Sequence, residues 1–155
     1  MVTLKEGDKA PRFSGKDQNG GKISLADYNG KKLILYFYSE AGSPTCTLES
    51  CNLRDHYTLL KKNGFDVLGI SPDDEKAQKK FETKYKLPFP LIADNGNKIT
   101  ALYGVHDMKK LFGREYMGIL RTTFVIDEKG TIRKIFHKPK NKAHAQEIMK
   151  AWDEL

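Results

Sequence analysis

The segment Leu33-Ile-Leu-Tyr-Phe-Tyr38, followed by Ser39-Glu-Ala-Gly-Ser-Pro44-Thr-Cys46-Thr-Leu-Glu-Ser-Cys51-Asn-Leu-Arg-Asp55, organises the chain. The continuous apolar and aromatic run from Leu33 to Tyr38 reads as a strand covered on both faces. Ser43-Pro44 then opens a helix. Serine is a favoured N-cap, and proline suits the first helical position because its missing N–H would be unpaired there anyway. With Ser43 as cap, Cys46 is the third helical residue. Its sulfur lies near unpaired backbone N–H groups and the positive end of the helix dipole, and both favour thiolate over thiol. The thiolate is the nucleophile, so this is a place where cysteine becomes reactive. The plain alternative is a small buried core residue. A second cysteine five positions on, Cys51, argues against it.

The spacing of these two cysteines, the only ones in the chain, carries information. Five residues along a helix are a rotation of about 140° and a rise of about 7.5 Å, which sets the Cα atoms roughly 8 to 9 Å apart. A disulfide needs them within about 7 Å. The bond therefore requires local unwinding, which suits a redox cycle better than a structural staple. Cys46 shares its face with Leu53, Tyr57 and Leu60, the expected inward stripe. Cys51 points away, nearer Arg54 and Asp55. Two thiols without a second cysteine pair make a poor zinc site. No metal and no cofactor is expected.

At 155 residues the chain reads as a single domain, 1–155, large enough for a core. Hydrophobic residues at 39% and charged residues at 30% fit a soluble globular protein. The N-terminus has no apolar signal core, and the run Leu33–Tyr38 is far too short to span a bilayer. A cytoplasmic location without membrane association is the expectation. The net charge of +7 raises the question of nucleic acid. The lysines come scattered in pairs, such as Lys31-Lys32 and Lys79-Lys80, interrupted by acids. A solvated surface explains them, and no nucleic-acid partner is expected.

Along the chain, Asn19-Gly20-Gly21 marks an N-terminal hairpin, and Ser24–Tyr28 a single helical turn. The helix from Pro44 runs to Asn63-Gly64. Phe65–Ile70 is a second core strand. Ser71-Pro72-Asp-Asp74 repeats the Ser-Pro opening, and the helix after it aligns Ala77, Phe81 and Tyr85. Leu87–Pro90 ends that helix. Leu91–Ala93 is a short strand, and Asn95–Tyr103 a short helix. Residues 104–118 show no clear period and read as loop. Ile119–Asp127 and Thr131–His137 form a hairpin about Glu128-Lys129-Gly130. Asn141 opens the last helix, with Ala145, Ile148, Met149, Trp152 and Leu155 inward. Strand–helix–strand–helix, then a hairpin and a terminal helix, predicts an α/β fold of thioredoxin-like order. Its mixed central sheet is flanked by helices and carries an N-terminal β-hairpin extension.

Arg121 is a charge within the apolar run Ile119–Ile126. It is either an outward-facing residue on a half-exposed strand or a guanidinium beside Cys46. His56, His106, His137 and His144 share no ligand spacing and read as structural or surface residues. Tyr36, Phe37 and Tyr38 read as core, with a wall of the cysteine pocket among them.

The Cys46 segment resembles the active site of peroxiredoxins, specifically the Q type, or bacterioferritin comigratory proteins. That pattern is Pro-x-x-x-Thr/Ser-x-x-Cys with a glutamate three residues on and, often, a resolving cysteine five residues on. Ser43, Cys46, Glu49 and Cys51 stand at those places, and Gly118, Arg121 and Phe124 match a Gly-x-x-Arg-x-x-Phe pattern. The chain departs at Ser39, where the family has proline, and at Thr45, where the Q type commonly has glycine. The resemblance implies a thiol peroxidase. Cys46 would be peroxidatic and Cys51 resolving. Arg121 and the Ser43 hydroxyl would bind the peroxide, and Glu49 would brace the site. The substrate would be a hydroperoxide and the reductant thioredoxin or a similar dithiol, on a monomer or weak dimer. A dithiol oxidoreductase or redox carrier on the same fold is a rival, but it would use Cys-x-x-Cys, which is absent. A non-enzymatic basic binding module is a second rival.

Overall fold

The computed structural model describes residues 2–155. Its centre is a five-stranded mixed sheet in the order β5 (Leu91–Ala93), β4 (Phe65–Ser71), β3 (Lys32–Phe37), β8 (Thr122–Ile126), β9 (Ile132–Phe136). Strand β3 pairs in parallel with β4, which pairs in parallel with β5. On its other side β3 pairs antiparallel with β8, and β8 antiparallel with β9. Parallel neighbours need crossover helices, and those helices cover the sheet. The alternation of side chains along β3 fills two cores. Leu33, Leu35 and Phe37 enter one, with Phe124 and Tyr103. Ile34, Tyr36 and Tyr38 enter the other, with Cys46, Leu53 and Leu60. This is why the run from Leu33 to Tyr38 is apolar without a break. Gly69 sits opposite Tyr36 in the parallel ladder. A Cβ there would come within 3.0 Å of the Tyr36 ring and 2.9 Å of Leu91, so an added side chain would push these core groups aside.

The expected N-terminal hairpin is β1 (Ser14–Lys16) with β2 (Lys22–Ser24), followed by a single 3-10 turn at Leu25–Tyr28. The first helix is interrupted, contrary to the reading of one helix to Asn63. Helix α1 (Pro44–Asp55) ends at His56 (φ −107°, ψ 9°), whose Nδ1 lies 2.9 Å from the Asn52 carbonyl. Helix α2 (Tyr57–Lys62) resumes at once. Helix α3 (Glu75–Tyr85) starts three residues after the second Ser-Pro pair, with Asp74 as its cap. Helix α4 (Lys98–Leu102) is short.

Residues 104–118 are not a loop. They contain β6 (His106–Leu111) and β7 (Arg114–Ile119), an antiparallel ribbon outside the main sheet. Met108, Tyr116 and Met117 are all exposed. A ribbon with so little buried on either face leaves no alternation to read. Its turn, Phe112-Gly113, has both residues at positive φ, 52° and 77°, a hairpin turn without the usual Asn-Gly signal.

The reading of Ile119–Asp127 as one strand is also corrected. Ile119 closes β7 and Thr122 opens β8, so Arg121 sits in the two-residue link between them. Helix α5 (His144–Asp153) begins after Ala143 rather than at Asn141. Ala145 and Ile148 are buried, and Met149 and Trp152 pack beside them. Leu155 is exposed and outside the stripe.

Candidate active site

Cys46 stands in the first turn of α1, at the C-terminal end of β3, fully buried. It shares a core with Tyr36 and Tyr38, whose rings stack at 5.4 Å. Burial pushes both phenols well above their ordinary value. They are neutral walls. The Tyr36 hydroxyl is 2.9 Å from Ser50 Oγ on α1, and the Tyr38 hydroxyl donates to Gln78 on α3.

Ser39 Oγ lies 3.6 Å from Cys46 Sγ, within hydrogen-bonding distance for sulfur. The residue at the family's proline position therefore contacts the sulfur directly, which the sequence did not indicate. The loop between Ser39 and α1 is fixed by Asp73, which accepts from the Ala41 N–H at 2.8 Å and from the Ser71 hydroxyl at 2.6 Å. Ser43 has the extended N-cap backbone (φ −65°, ψ 150°), but its hydroxyl makes no capping bond. The role of Ser43 as a side-chain cap is thereby corrected. On the Ser39 side, a cavity of about 370 Å³ is lined by Ser39, Pro72, His106, Tyr116 and Met117 among others.

Glu49, one turn after Cys46, is fully buried. Arg121 Nη2 approaches its Oε1 to 3.3 Å, and His144 Nε2 approaches its Oε2 to 3.6 Å. Neither contact is aligned as a hydrogen bond. Burial drives the Glu49 carboxyl above its ordinary value, and His144 and Arg121 oppose that rise. Arg121 Nη2 also donates to Asn141 Oδ1 at 2.6 Å. The Arg121 Nε–H is buried without a partner among the described residues. Arg121 is thus not an outward-facing charge. It is held by Asn141 and by Glu49, midway along α1.

Cys51 is half-buried, and both cysteines are free thiols on one intact helix. Burial raises the Cys51 thiol above its ordinary value, with Arg54 opposing and Asp55 adding. The next residue, Asn52, grips the start of α5. Its Oδ1 accepts from the Ala145 N–H at 2.7 Å, and its Nδ2 donates to the Lys142 carbonyl and to Gln146. Asn52 thus caps α5 from another helix, because Ala143 at the N-cap has no side chain to do so.

The structure therefore joins Cys46 with Ser39, and Glu49 with Arg121, along one face of α1. It leaves Cys51 apart from Cys46. Sequence reading missed His144, Thr123, Asn141 and Asn52. Apart from Glu147, three residues after His144, their partners are remote in the chain, so spacing alone does not single them out. Among the described residues, no three His, Cys, Asp or Glu side chains are grouped to hold a metal ion. No helix there is long and apolar enough to cross a membrane.

A cysteine in the first turn of the helix after β3, on a sheet of this order, defines a thiol-based redox protein of thioredoxin-like fold. Comparison with known proteins narrows the class. The model of the AhpC/TSA family matches residues 6–135, and the chain belongs to that family. Peroxiredoxin Bcp of Escherichia coli (strain K12) is 40% identical over 149 residues, covering 96% of both chains. Peroxiredoxin Bcp of Bacillus subtilis (strain 168) is 38% identical over 154 residues, covering 99% of this chain and 98% of the relative. Among solved structures, the bacterioferritin comigratory protein of Xanthomonas campestris, described for its alkyl peroxide reduction activity, superposes with a TM-score of 0.86. It is 25% identical over 99% of this chain and 98% of its own.

Proposed function

We propose that this peroxiredoxin reduces hydroperoxides, hydrogen peroxide and organic ones alike, through Cys46 as peroxidatic and Cys51 as resolving cysteine. The Cys46 thiolate attacks one oxygen of the O–O bond. The sulfur loses two electrons and becomes a sulfenic acid, and the other oxygen takes a proton and leaves as water or alcohol. Arg121, with a free buried Nε–H, stabilises charge on the departing oxygen, together with the Ser39 and Ser43 hydroxyls and backbone N–H groups of the first turn. Glu49 braces the guanidinium. Helix α1 then unwinds, Cys51 attacks the sulfenic sulfur, and water leaves as the disulfide forms. A dithiol reductant of the thioredoxin type takes over the disulfide and restores both thiols.

The observation that carries this reading is Cys46 buried in the first turn of α1, with Ser39 on its sulfur and the Glu49–Arg121 pair one turn away. Burial raises the Cys51 thiol above its ordinary value, which makes it the less ready nucleophile of the pair and favours the second role for it. Peroxide consumption with a thioredoxin system tests the assignment. Cys46→Ser should abolish turnover. Cys51→Ser should consume about one peroxide per chain and then stop at the sulfenic acid. Arg121→Ala should slow the first oxidation by about 100-fold, in the range seen when one donor to a developing oxyanion is removed. Retained oxidation in Cys46→Ser and its loss in Cys51→Ser would reverse the two roles.

A further inference from the structure

His144 is the first residue of α5 and is fully buried, and its ring joins four elements. Nδ1 lies 2.8 Å from Glu147 Oε2 on its own helix. Nε2 lies 2.8 Å from Thr123 Oγ1 on β8 and 3.6 Å from Glu49 Oε2 on α1. The Phe136 ring of β9 packs against it edge to face, centroids 5.5 Å apart. The charged groups facing the imidazole are therefore Glu49 from α1 and Glu147 from α5, with Arg121 behind Glu49. Lys140 donates its backbone N–H to the same Glu147 oxygen at 2.7 Å. Burial works against the Glu147 carboxylate, but the bonds from His144 and Lys140 hold it below its ordinary value.

Glu147 is held as a carboxylate, whereas burial drives Glu49 towards its neutral form, and the Arg121 guanidinium opposes this alone unless the His144 ring adds a positive charge. An imidazolium supplies it, and then both ring nitrogens donate. A neutral ring that donates from Nδ1 to Glu147 turns Nε2 into an acceptor for the Thr123 hydroxyl. Glu49 then has Arg121 as its only cation. The position of Glu49 gives this consequence. Glu49 precedes Cys51 by two residues and Asn52 follows it by one, and both side chains reach the N-terminal end of α5. Any movement of Cys51 towards Cys46 has to release these contacts.

We propose that His144 is a positioning residue. As an imidazolium it keeps Glu49 a carboxylate and clamps α1 against α5 in the folded form, in which Arg121 stays beside Glu49. Loss of its proton loosens the clamp and favours the unwound α1. The clamp is a property of the reduced fold. Only its consequence for disulfide formation rests on the roles given above to Cys46 and Cys51.

Amide hydrogen exchange on the reduced protein tests it without peroxide, so failure here leaves the peroxidase reading standing, and the reverse. Protection of residues 47–52, corrected for intrinsic exchange, should fall about tenfold as pH rises through the range in which an imidazole loses its proton, while α3 stays constant. His144→Gln retains hydrogen-bonding capacity but cannot carry charge. Its α1 protection should sit at the low value at every pH. A residue that only fills space would lower protection in α5 and β8 alike, with no pH dependence in wild type. Glu49→Gln removes the carboxylate from the other side and should flatten the pH dependence as well, which keeps the test open if His144→Gln does not fold. Wild-type α1 protection that ignores pH, or pH dependence that survives in Glu49→Gln or His144→Gln, overturns the proposal. So does an imidazole that NMR shows to stay neutral throughout.

Discussion

Helices α1 and α3 each come after a parallel core strand with a Ser-Pro pair at or near the helix start, yet their ends are satisfied differently. In α3 the signals are local. Asp74 accepts from the Ala77 N–H at 2.8 Å, Glu75 places an acid in the first turn, and Lys86 ends the helix in the left-handed region at φ 52°. In α1 the local signals are thin. Ser43 makes no side-chain capping bond, the first turn holds no acid, and the helix stops at His56. What holds α1 comes from elsewhere in the chain: Arg121 and His144 on Glu49, and the α5 backbone on Asn52. A helix with working caps of its own keeps its end groups bonded without help from remote side chains. A helix fixed by a few remote side chains opens when those contacts let go. The helix with both cysteines is the second kind.

The sharpest way to break this comparison is oxidation. Forming the Cys46–Cys51 bond should remove most amide protection from α1 residues 46–52, because an intact helix keeps the two Cα atoms roughly 8 to 9 Å apart and a disulfide needs about 7 Å or less. Protection in α3 should not change. Exchange measured by mass spectrometry on the reduced and oxidised forms gives both values in one experiment. An intact, protected α1 in a protein whose disulfide has formed would show that the two helices do not differ in this respect.

A smaller effect sharpens the comparison. Asp74→Ala removes a working cap and should cost about 1 kcal/mol, seen as a lower denaturant midpoint at unchanged slope. Ser43→Ala removes a hydroxyl that caps nothing and should move the midpoint by less than about half as much. Equal losses would mean that Ser43 caps α1 in solution after all.

How far the sequence could be read follows the same division. Strand β3 was legible because burial on both faces leaves a continuous apolar run. The β1–β2 hairpin was legible from Asn19-Gly20-Gly21, and the start of α1 from Ser43-Pro44. The β6–β7 ribbon was not, because its exposed faces impose no periodicity and its turn is Phe112-Gly113. Cys46, Cys51 and Glu49 stand on one short segment, so their spacing spoke directly. Arg121 was singled out as a charge in an apolar run, but its place in the link between two strands was not visible, since Ile119 and Thr122 look like one strand in sequence. His144 reads from sequence as a structural or surface residue, because Glu49 and Thr123 reach it only through the packing of α5 on α1 and β8.

The smallest expected effect concerns Ser39, where the family pattern has proline. A proline there would fix one backbone angle of the loop that leads into α1 and set an apolar ring near the sulfur. It would also delete the hydroxyl that lies 3.6 Å from Cys46 Sγ. The two consequences oppose each other and need two variants to separate. Ser39→Ala removes the hydroxyl alone and should slow the first oxidation by severalfold, as expected for one neutral hydrogen bond of about 1 kcal/mol. Ser39→Pro loses the same hydroxyl but stiffens the unfolded chain, for a stability gain of about 0.4 to 1 kcal/mol. By ordering the loop it should react at least as fast as wild type. Stopped-flow oxidation and thermal melting of the three proteins decide the matter. A proline variant as slow as the alanine one would mean that the hydroxyl, not the order of the loop, is what this chain uses at the position. One that is also less stable would mean that the loop from Ser39 to Ser43, anchored by the Ala41–Asp73 bond, holds a backbone conformation closed to proline.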